Sequence, residues 1–324
     1  MYLMKSMLLN SFNEKLRMAD LPKPTCNAKE VLIRVLTTSL NFADILMTKG
    51  KYQEKYDLPF SPGMEVCGII TLLGEDSSSF KIGQRVAAYV GFGGLSEFIT
   101  VSENLCFSVP DDISDEKAAS LLIAYGSTEL ALNYKAKLKS DETLLVLGAA
   151  GGVGLSAVQI GKAMGANVVA VAKGKEKCKL TQLMGANLTF DSESVNLKRD
   201  LKTLDKIDVI YDPVGGDQFQ VALAAAKPET RILPIGFASG EVPQIPANIV
   251  MVKNITIIGF YIGTYRTLNP NILRDCFQRL LEMWSQNFIN PHISNVFSLE
   301  EANLALDIIE KRKSTGKVVV RVGT

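Results

Sequence analysis

The residues best suited to chemistry in this sequence form a glycine turn. Residues 144–154 read LLVLGAAGGVG. An apolar run enters the turn, and Val153, Ala157, Val158 and Ile160 leave it at helical spacing. A strand, a glycine turn and a helix in that order are the context a dinucleotide fingerprint requires. Gly151 and Gly152 let the backbone approach a pyrophosphate where a Cβ would obstruct it, and Gly154 lets the helix pack against the strand. The helix start supplies N–H groups without intrahelical partners and the positive end of a dipole. The strict G-x-G-x-x-G pattern is broken, because Ala149 stands at its first position, beside Gly148. The plainer alternative is a glycine-rich turn that binds nothing.

The ribose end of such a dinucleotide is read further on. A site for a free 2′-hydroxyl places an acid at the end of the next strand, about 20 residues on. Here residues 170–177 read AVAKGKEK, so Lys173 stands at the strand end. Lys175 and Lys177 follow, with only Glu176 opposing them. A 2′-phosphate carries extra negative charge, so the lysines favour NADP(H). Lysines at a helix start oppose its dipole, which makes a bound anion more favourable there. The alternative is a solvated helix start with ordinary surface lysines.

Other chemistries are excluded by count. There is one histidine, His292, so a zinc site built on two or three histidines is impossible. The five cysteines, Cys26, Cys67, Cys106, Cys178 and Cys276, are scattered and include no C-x-x-C. They make neither a disulfide framework nor a structural zinc site, and a reducing, cytoplasmic compartment is expected. Lys+Arg is 35 and Asp+Glu is 34, a net charge of +1, which argues against a broad nucleic-acid or anionic-membrane surface. The N-terminal MYLMKSMLLNSFNEK reads as a first strand, not a signal peptide. Residues 144–161 carry no charge and could mimic a membrane span, but their five glycines fit strand, turn and buried helix better.

These residues need elements to position them. At 324 residues the chain suggests two domains, and 47% hydrophobic residues suffice for sizeable cores. The first 120 residues or so read as short strands with turns between them. Residues 31–36, 65–72 and 85–90 alternate at period two, and one helical patch covers 41–49. This predicts a small, partly open β-barrel. From about Glu116 a helix over 117–133 is expected, and then strands and helices alternate. The strands fall at 144–147, 167–172, 188–190, 208–211, 231–235 and 255–259. Apolar runs separated by helices predict an α/β fold with a doubly wound parallel sheet. An amphipathic helix over 271–286 follows. A capping box at Ser298–Glu301 opens a helix to about Lys311, and Gly316 precedes a last strand, 317–322. That strand could return to the N-terminal barrel. The expected division is 1–122, completed by 266–324, around a nucleotide-binding domain at 123–265.

Several stretches together carry a family resemblance over essentially the whole chain. They are SLNFADILMTKGKY (39–52), PFSPGMEVCGII (59–70), GAAGGVG, DVIYDPVGGD (208–217), IGF (235–237) and KSTGKVVV (313–320). The sequence resembles the zinc-free quinone oxidoreductase branch of the medium-chain dehydrogenase/reductase family. The resemblance implies a GroES-like N-terminal catalytic domain, closed by the C-terminal segment, and a Rossmann domain binding NADP(H). Zinc members carry Gly-His-Glu near position 64 and a cysteine near 41. Here Gly63-Met64-Glu65 and Asn41 stand there, and the four-cysteine zinc lobe is missing. No metal is expected.

The resemblance also assigns residues. Asn41 and Tyr52 match positions lining the nicotinamide and substrate pocket, and Asp44 matches a structural acid in the same turn. Thr128 matches a threonine at the nicotinamide end. Gly151, Gly152, Val153 and Gly154 match the pyrophosphate loop. Lys173, Gly174 and Lys177 match the 2′-phosphate region. Gly236 and Phe237 close the fifth strand, Phe260, Tyr261 and Ile262 hold the carboxamide through backbone groups, and Arg312 matches a C-terminal basic residue near the cofactor. Ser192 replaces a tyrosine that many members place beside the adenosine phosphate. Without a metal, conjugated acceptors remain accessible, because hydride addition to a quinone or enone gives a delocalised oxyanion that hydrogen-bond donors can stabilise. Tyr52 would be the proton donor and Asn41 would orient the nicotinamide or the substrate oxygen. The readings are an NADPH-dependent quinone reductase, a reductase of enones or enoyl thioesters, or a non-enzymatic NADPH-binding protein of the crystallin or RNA-binding kind. A homodimer is expected through the apolar edge segment at 254–259.

Overall fold

The computed structural model describes residues 3–323. The chain forms two compact units. One contains the chain up to Ala124, Arg266–Phe277 and the chain from Pro291 on; the other contains Tyr125–Tyr265 and Gln278–Asn290. Gln278–Asn290 belongs to the interior unit. Arg279 pairs with buried Glu129 through two hydrogen bonds of 2.5 and 3.0 Å, and Asn290 exchanges bonds with Gln159 at 2.6 and 3.0 Å. Leaving a buried carboxylate unpaired would be costly, which fixes that segment there.

In the interior unit, six strands of the described residues form a parallel sheet. Their spatial order is Leu188–Asp191, Asn167–Ala172, Thr143–Val146, Val209–Asp212, Arg231–Pro234, Thr256–Ile257. Numbered by occurrence this is 3-2-1-4-5-6, the doubly wound order, with ligand sites expected at the carboxyl ends of the strands where the order reverses. The strands lack alternation because both faces are covered: Leu144, Leu145, Val146, Val168, Val169 and Ile210 are all buried. The edge strand is only Thr256–Ile257, shorter than the expected 255–259. Left-handed Asn254 precedes it, and the chain turns off toward a short helix at Ile262–Thr264.

The other unit is the expected GroES-like β unit. Its central strand, Glu30–Leu40, pairs with Glu65–Leu73, Phe98–Ser102 and Lys317–Arg321. The C-terminal strand therefore returns to the N-terminal β structure, with Val318 opposite Leu40. Beside it runs Ile293–Ser298, a parallel strand that its polar sequence, ISNVFS, did not announce. Met1 and Tyr2 of the expected first strand lie outside the described residues; Leu3–Leu8 is a strand. Two helix readings need correction. The helix expected over 117–133 is a short helix, Asp115–Ala119, followed by wide turns at Leu121–Tyr125 and Leu130–Lys135 flanking Gly126–Glu129. The Ile123 N–H donates to the Glu65 carboxylate at 2.8 Å, which breaks the regular ladder. At the other helix, the Ser298 N–H does donate to Glu301 at 3.0 Å, but regular helix begins at Ala302. No helix of the described residues is long and apolar enough to cross a membrane.

Candidate active site

The glycine turn leads from Thr143–Val146 into the helix Gly152–Ala163, with Gly151 as N-cap and no side-chain cap. A Cβ on Gly154 would lie 2.2 Å from the Gly148 carbonyl oxygen, so close packing alone demands glycine there. A Cβ on Gly151 would lie 3.5 Å from the same oxygen, an ordinary contact. The protein's own packing therefore does not require Gly151. Gly151, Gly152 and Val153 keep partial exposure, whereas Gly154 is buried. An uncapped helix N-terminus reached through small, accessible residues suits a phosphate.

Lys173 is the N-cap of the helix Gly174–Leu183. Gly174 has φ +77°, and its N–H donates to Asp191 Oδ1 at 2.9 Å. That bond and one from the Glu193 N–H hold the Asp191 carboxyl below its ordinary pKa. Lys177 is shifted down, first by burial and then by the charge of Lys173. The two lysines are thus near enough for their charges to oppose each other, and Lys173 also reaches Glu193 at 2.7 Å. Asp191 and Glu193 were missed in the sequence. They flank Ser192 at the end of the neighbouring strand, and only the pairing of Asp191 with Ala172 reveals their proximity.

Gly236 and Phe237 follow the strand Arg231–Pro234 and are half-buried. Phe260 and Tyr261 are half-buried, Ile262 is buried, and the Phe260 ring stacks on Tyr265 at 6.1 Å. Thr128 has no exposed surface in this structure, and its hydroxyl lies 2.6 Å from Ser156 Oγ and 2.8 Å from the Tyr211 hydroxyl. The first of these contacts ties Thr128 to the helix Gly152–Ala163.

In the β unit, Asn41 ends the central strand and opens the helix Phe42–Thr48. Its backbone N–H donates to Asp44 Oδ2 at 2.7 Å, and the Gly63 N–H donates to Asp44 Oδ1 at 2.8 Å. Asp44 is wholly buried, and burial lifts its pKa to about 6 despite those two bonds and the charge of Lys317. The Asn41 side chain donates to Glu65 Oε1 at 2.9 Å and to the Ser39 carbonyl at 3.3 Å. Lys317 Nζ donates to Asn41 Oδ1 at 2.5 Å, to Glu65 Oε1 at 2.9 Å and to the Leu40 carbonyl at 3.2 Å. Glu65 and Lys317 were quoted from the sequence without a role. Their signal was a charge inside an apolar run, Met64-Glu65-Val66 and Lys317 before three valines.

Tyr52 is buried at 7% exposure, close enough to Tyr56 and Tyr89 to help raise the pKa of both, although burial is the larger cause in each. Tyr56 donates to Glu54 Oε2 at 2.6 Å, and Arg266 Nη2 donates to the same oxygen at 2.6 Å. The Arg266 guanidinium lies over the Tyr89 ring at 5.1 Å. The buried Tyr89 hydroxyl has no hydrogen-bond partner among the described residues. Glu54, Tyr56 and Arg266 were also missed, because 212 residues separate the two ends of the ion pair. Arg312 is exposed in a left-handed turn after the helix Ala302–Glu310. His292 meets Thr315 at 3.1 Å, and its carbonyl accepts from the Lys317 N–H.

Comparison with known proteins finds matches for both parts of the chain. Residues 27–111 match the alcohol dehydrogenase GroES-like domain, and residues 152–283 match the zinc-binding dehydrogenase domain. The chain is 39% identical to a quinone oxidoreductase-like protein 2 homolog from Nematostella vectensis, over 90% of this chain and 81% of that one. Among solved structures it resembles a quinone oxidoreductase from Thermus thermophilus, studied also in its complex with NADPH (TM-score 0.86, 30% identity, 98% of this chain and 100% of that one). It also resembles the CurK enoyl reductase (TM-score 0.89, 25% identity, 98% and 99%). With this fold, this turn and these relatives, the chain belongs to the quinone oxidoreductase branch of the medium-chain dehydrogenase/reductase family.

Proposed function

We propose that this protein is a zinc-independent NADPH:quinone oxidoreductase. The observation that carries the reading is the uncapped helix start at Gly151–Gly154, where Gly151 has room for a side chain that the sequence withholds. The residues present fit NADP(H): the helix start and the accessible glycines suit its pyrophosphate, and the Lys173–Lys177 pair suits its 2′-phosphate. Gly236, Phe237, Phe260, Tyr261, Ile262 and Arg312 remain proposed cofactor contacts. When bound, NADPH supplies a hydride.

The chain's own part is to bind the acceptor and meet the charge that forms on its oxygen. Tyr52 is the proposed proton donor, because a phenol with a free pKa of about 10 is an acid at neutral pH. Tyr56 spends its own proton on Glu54. Zinc independence rests on the donor set. Met64 and Asn41 stand at the positions where zinc members place ligands, and Glu65 is already paired with Lys317. Among the described residues no three His, Cys, Asp or Glu side chains gather as a metal-holding group. A cytoplasmic location and a homodimer through the edge segment near 254–259 are part of the same reading.

Reduction of α,β-unsaturated carbonyls is the second reading, favoured by the buried tyrosine group around Tyr52, since an enolate must be protonated. NADPH oxidation measured with quinones, enones and enoyl-CoA decides between them. The highest kcat/KM is expected with quinones. A preference for enones would move the assignment to the second reading, and tight NADPH binding with no turnover of any acceptor would reject both.

A further inference from the structure

Asn41 could in principle address either the nicotinamide or the substrate oxygen. Its surroundings decide which polarity it offers. Both hydrogen-bond directions of its amide nitrogen are taken inside the protein, by Glu65 Oε1 and the Ser39 carbonyl. Its amide oxygen faces the Lys317 ammonium at 2.5 Å. A flipped amide would put an NH2 group against an NH3⁺ group and an oxygen against a carboxylate. Glu65 is 0% exposed and Lys317 3%, so solvent does not screen that penalty. Glu65 is itself held by the Ile123 N–H at 2.8 Å, and Lys317 by the Leu40 carbonyl at 3.2 Å. The pair cannot rotate away together.

We propose that Lys317 is a positioning residue that fixes the Asn41 amide as an acceptor only. Asn41 then has no N–H to give to a substrate oxyanion, and its remaining polarity is the amide oxygen, which suits a donor on the nicotinamide riboside, a carboxamide N–H or a ribose hydroxyl. The inference rests on the NADPH reading above. It also explains why a C-terminal strand pairs beside the end of Glu30–Leu40: that pairing carries the lysine to the amide.

The test uses the whole protein. Lys317→Met alone would leave the Glu65 charge buried without a partner, so the neutral pair K317M/E65Q is the working variant. NADPH binding is followed by fluorescence titration without an acceptor, and quinone KM is measured separately. The expected result is an NADPH Kd raised about tenfold in K317M/E65Q, one hydrogen bond's worth, with quinone KM within about twofold. N41A should show the same loss, and the triple variant no more than either, because Lys317 acts through Asn41. Additive losses, or a raised quinone KM with unchanged NADPH Kd, would overturn the proposal. The Asn41 side-chain NH2 pair, identified by its absence in N41A, provides a readout that needs no cofactor. It should exchange slowly with deuterium in the wild type and quickly in K317M/E65Q. Fast exchange in the wild type overturns the positioning. Slow exchange in a wild type that binds no NADPH overturns the function reading and upholds the positioning.

Discussion

Tyr52→Phe removes one oxygen from a buried side chain and leaves its ring in place. If Tyr52 protonates the reduced acceptor, kcat for an enone should fall about 100-fold, a moderate effect for a lost general acid. Reduction of a quinone by single electrons should change little. Wild-type enone turnover by the mutant would remove the proton-donor role. Asp44 gives a different residue-scale expectation, in pH. Its folded pKa is about 6 against an ordinary 3.8, so the folded state binds its proton more tightly than the unfolded chain does. Stability contributed at this site is therefore fully present below about pH 4 and is lost as pH rises through 6. At 1.36 kcal/mol per unit the swing is on the order of 3 kcal/mol. Asp44→Asn cannot titrate and loses one acceptor for the Asn41 and Gly63 N–H groups. Its cost should be larger at pH 4 than at pH 7, the reverse of a carboxylate held by a salt bridge. Urea midpoints of the two proteins across that range provide the check, and a cost that grows with pH would contradict the burial argument.

At the scale of elements, the two glycines of the turn should separate packing from binding. Gly154→Ala puts a Cβ onto backbone atoms 2.2 and 2.8 Å away and should destabilise the protein by about 3 kcal/mol. Gly151→Ala meets nothing closer than 3.5 Å and should fold within about 1 kcal/mol of the wild type. It should nevertheless bind NADPH about tenfold more weakly, because the new methyl lies where the pyrophosphate would approach. Thermal unfolding and fluorescence titration of the same two proteins measure both effects; equal binding by Gly151→Ala would leave the turn a purely structural one. The sequence made this turn legible because strand, glycines and helix are contiguous, and the same holds for the lysines that follow. It made the buried strands legible because each is a local apolar run. It hid whatever depends on pairing between distant segments. Ile293–Ser298 shows no alternation strong enough to mark a strand and forms one because Lys317–Arg321 lies beside it. The regular helix expected over 117–133 fails because a carboxylate 58 residues away takes the Ile123 N–H. Lys317 and Glu65, 252 residues apart, could each be seen as a charge in an apolar run, but not as partners.

At the scale of the whole molecule, the remaining question is what covers the edge of the parallel sheet. Thr256–Ile257 is the last strand of this sheet and, among the described residues, pairs on one side only, with Arg231–Pro234. Two residues expose few unpaired backbone groups, so an edge this short is a weak template by itself. The segment just before it adds apolar surface: Val242 and Ile245 are 65% and 38% exposed, and Met251 and Val252, on the helix Ala247–Lys253, 71% and 73%. Isolated exposed apolar residues need no explanation, and these four, close in sequence to the edge, are the side chains on which the proposed homodimer would rest. The association should therefore depend on side chains more than on strand pairing. Sedimentation velocity at micromolar concentration should show a dimer. M251D/V252D should convert it to a monomer, and its NADPH affinity should stay within about twofold of the wild type, because neither residue is among the proposed cofactor contacts. A wild-type monomer at that concentration would reject the dimer, whereas a dimer unaffected by the two aspartates would place its interface on another surface.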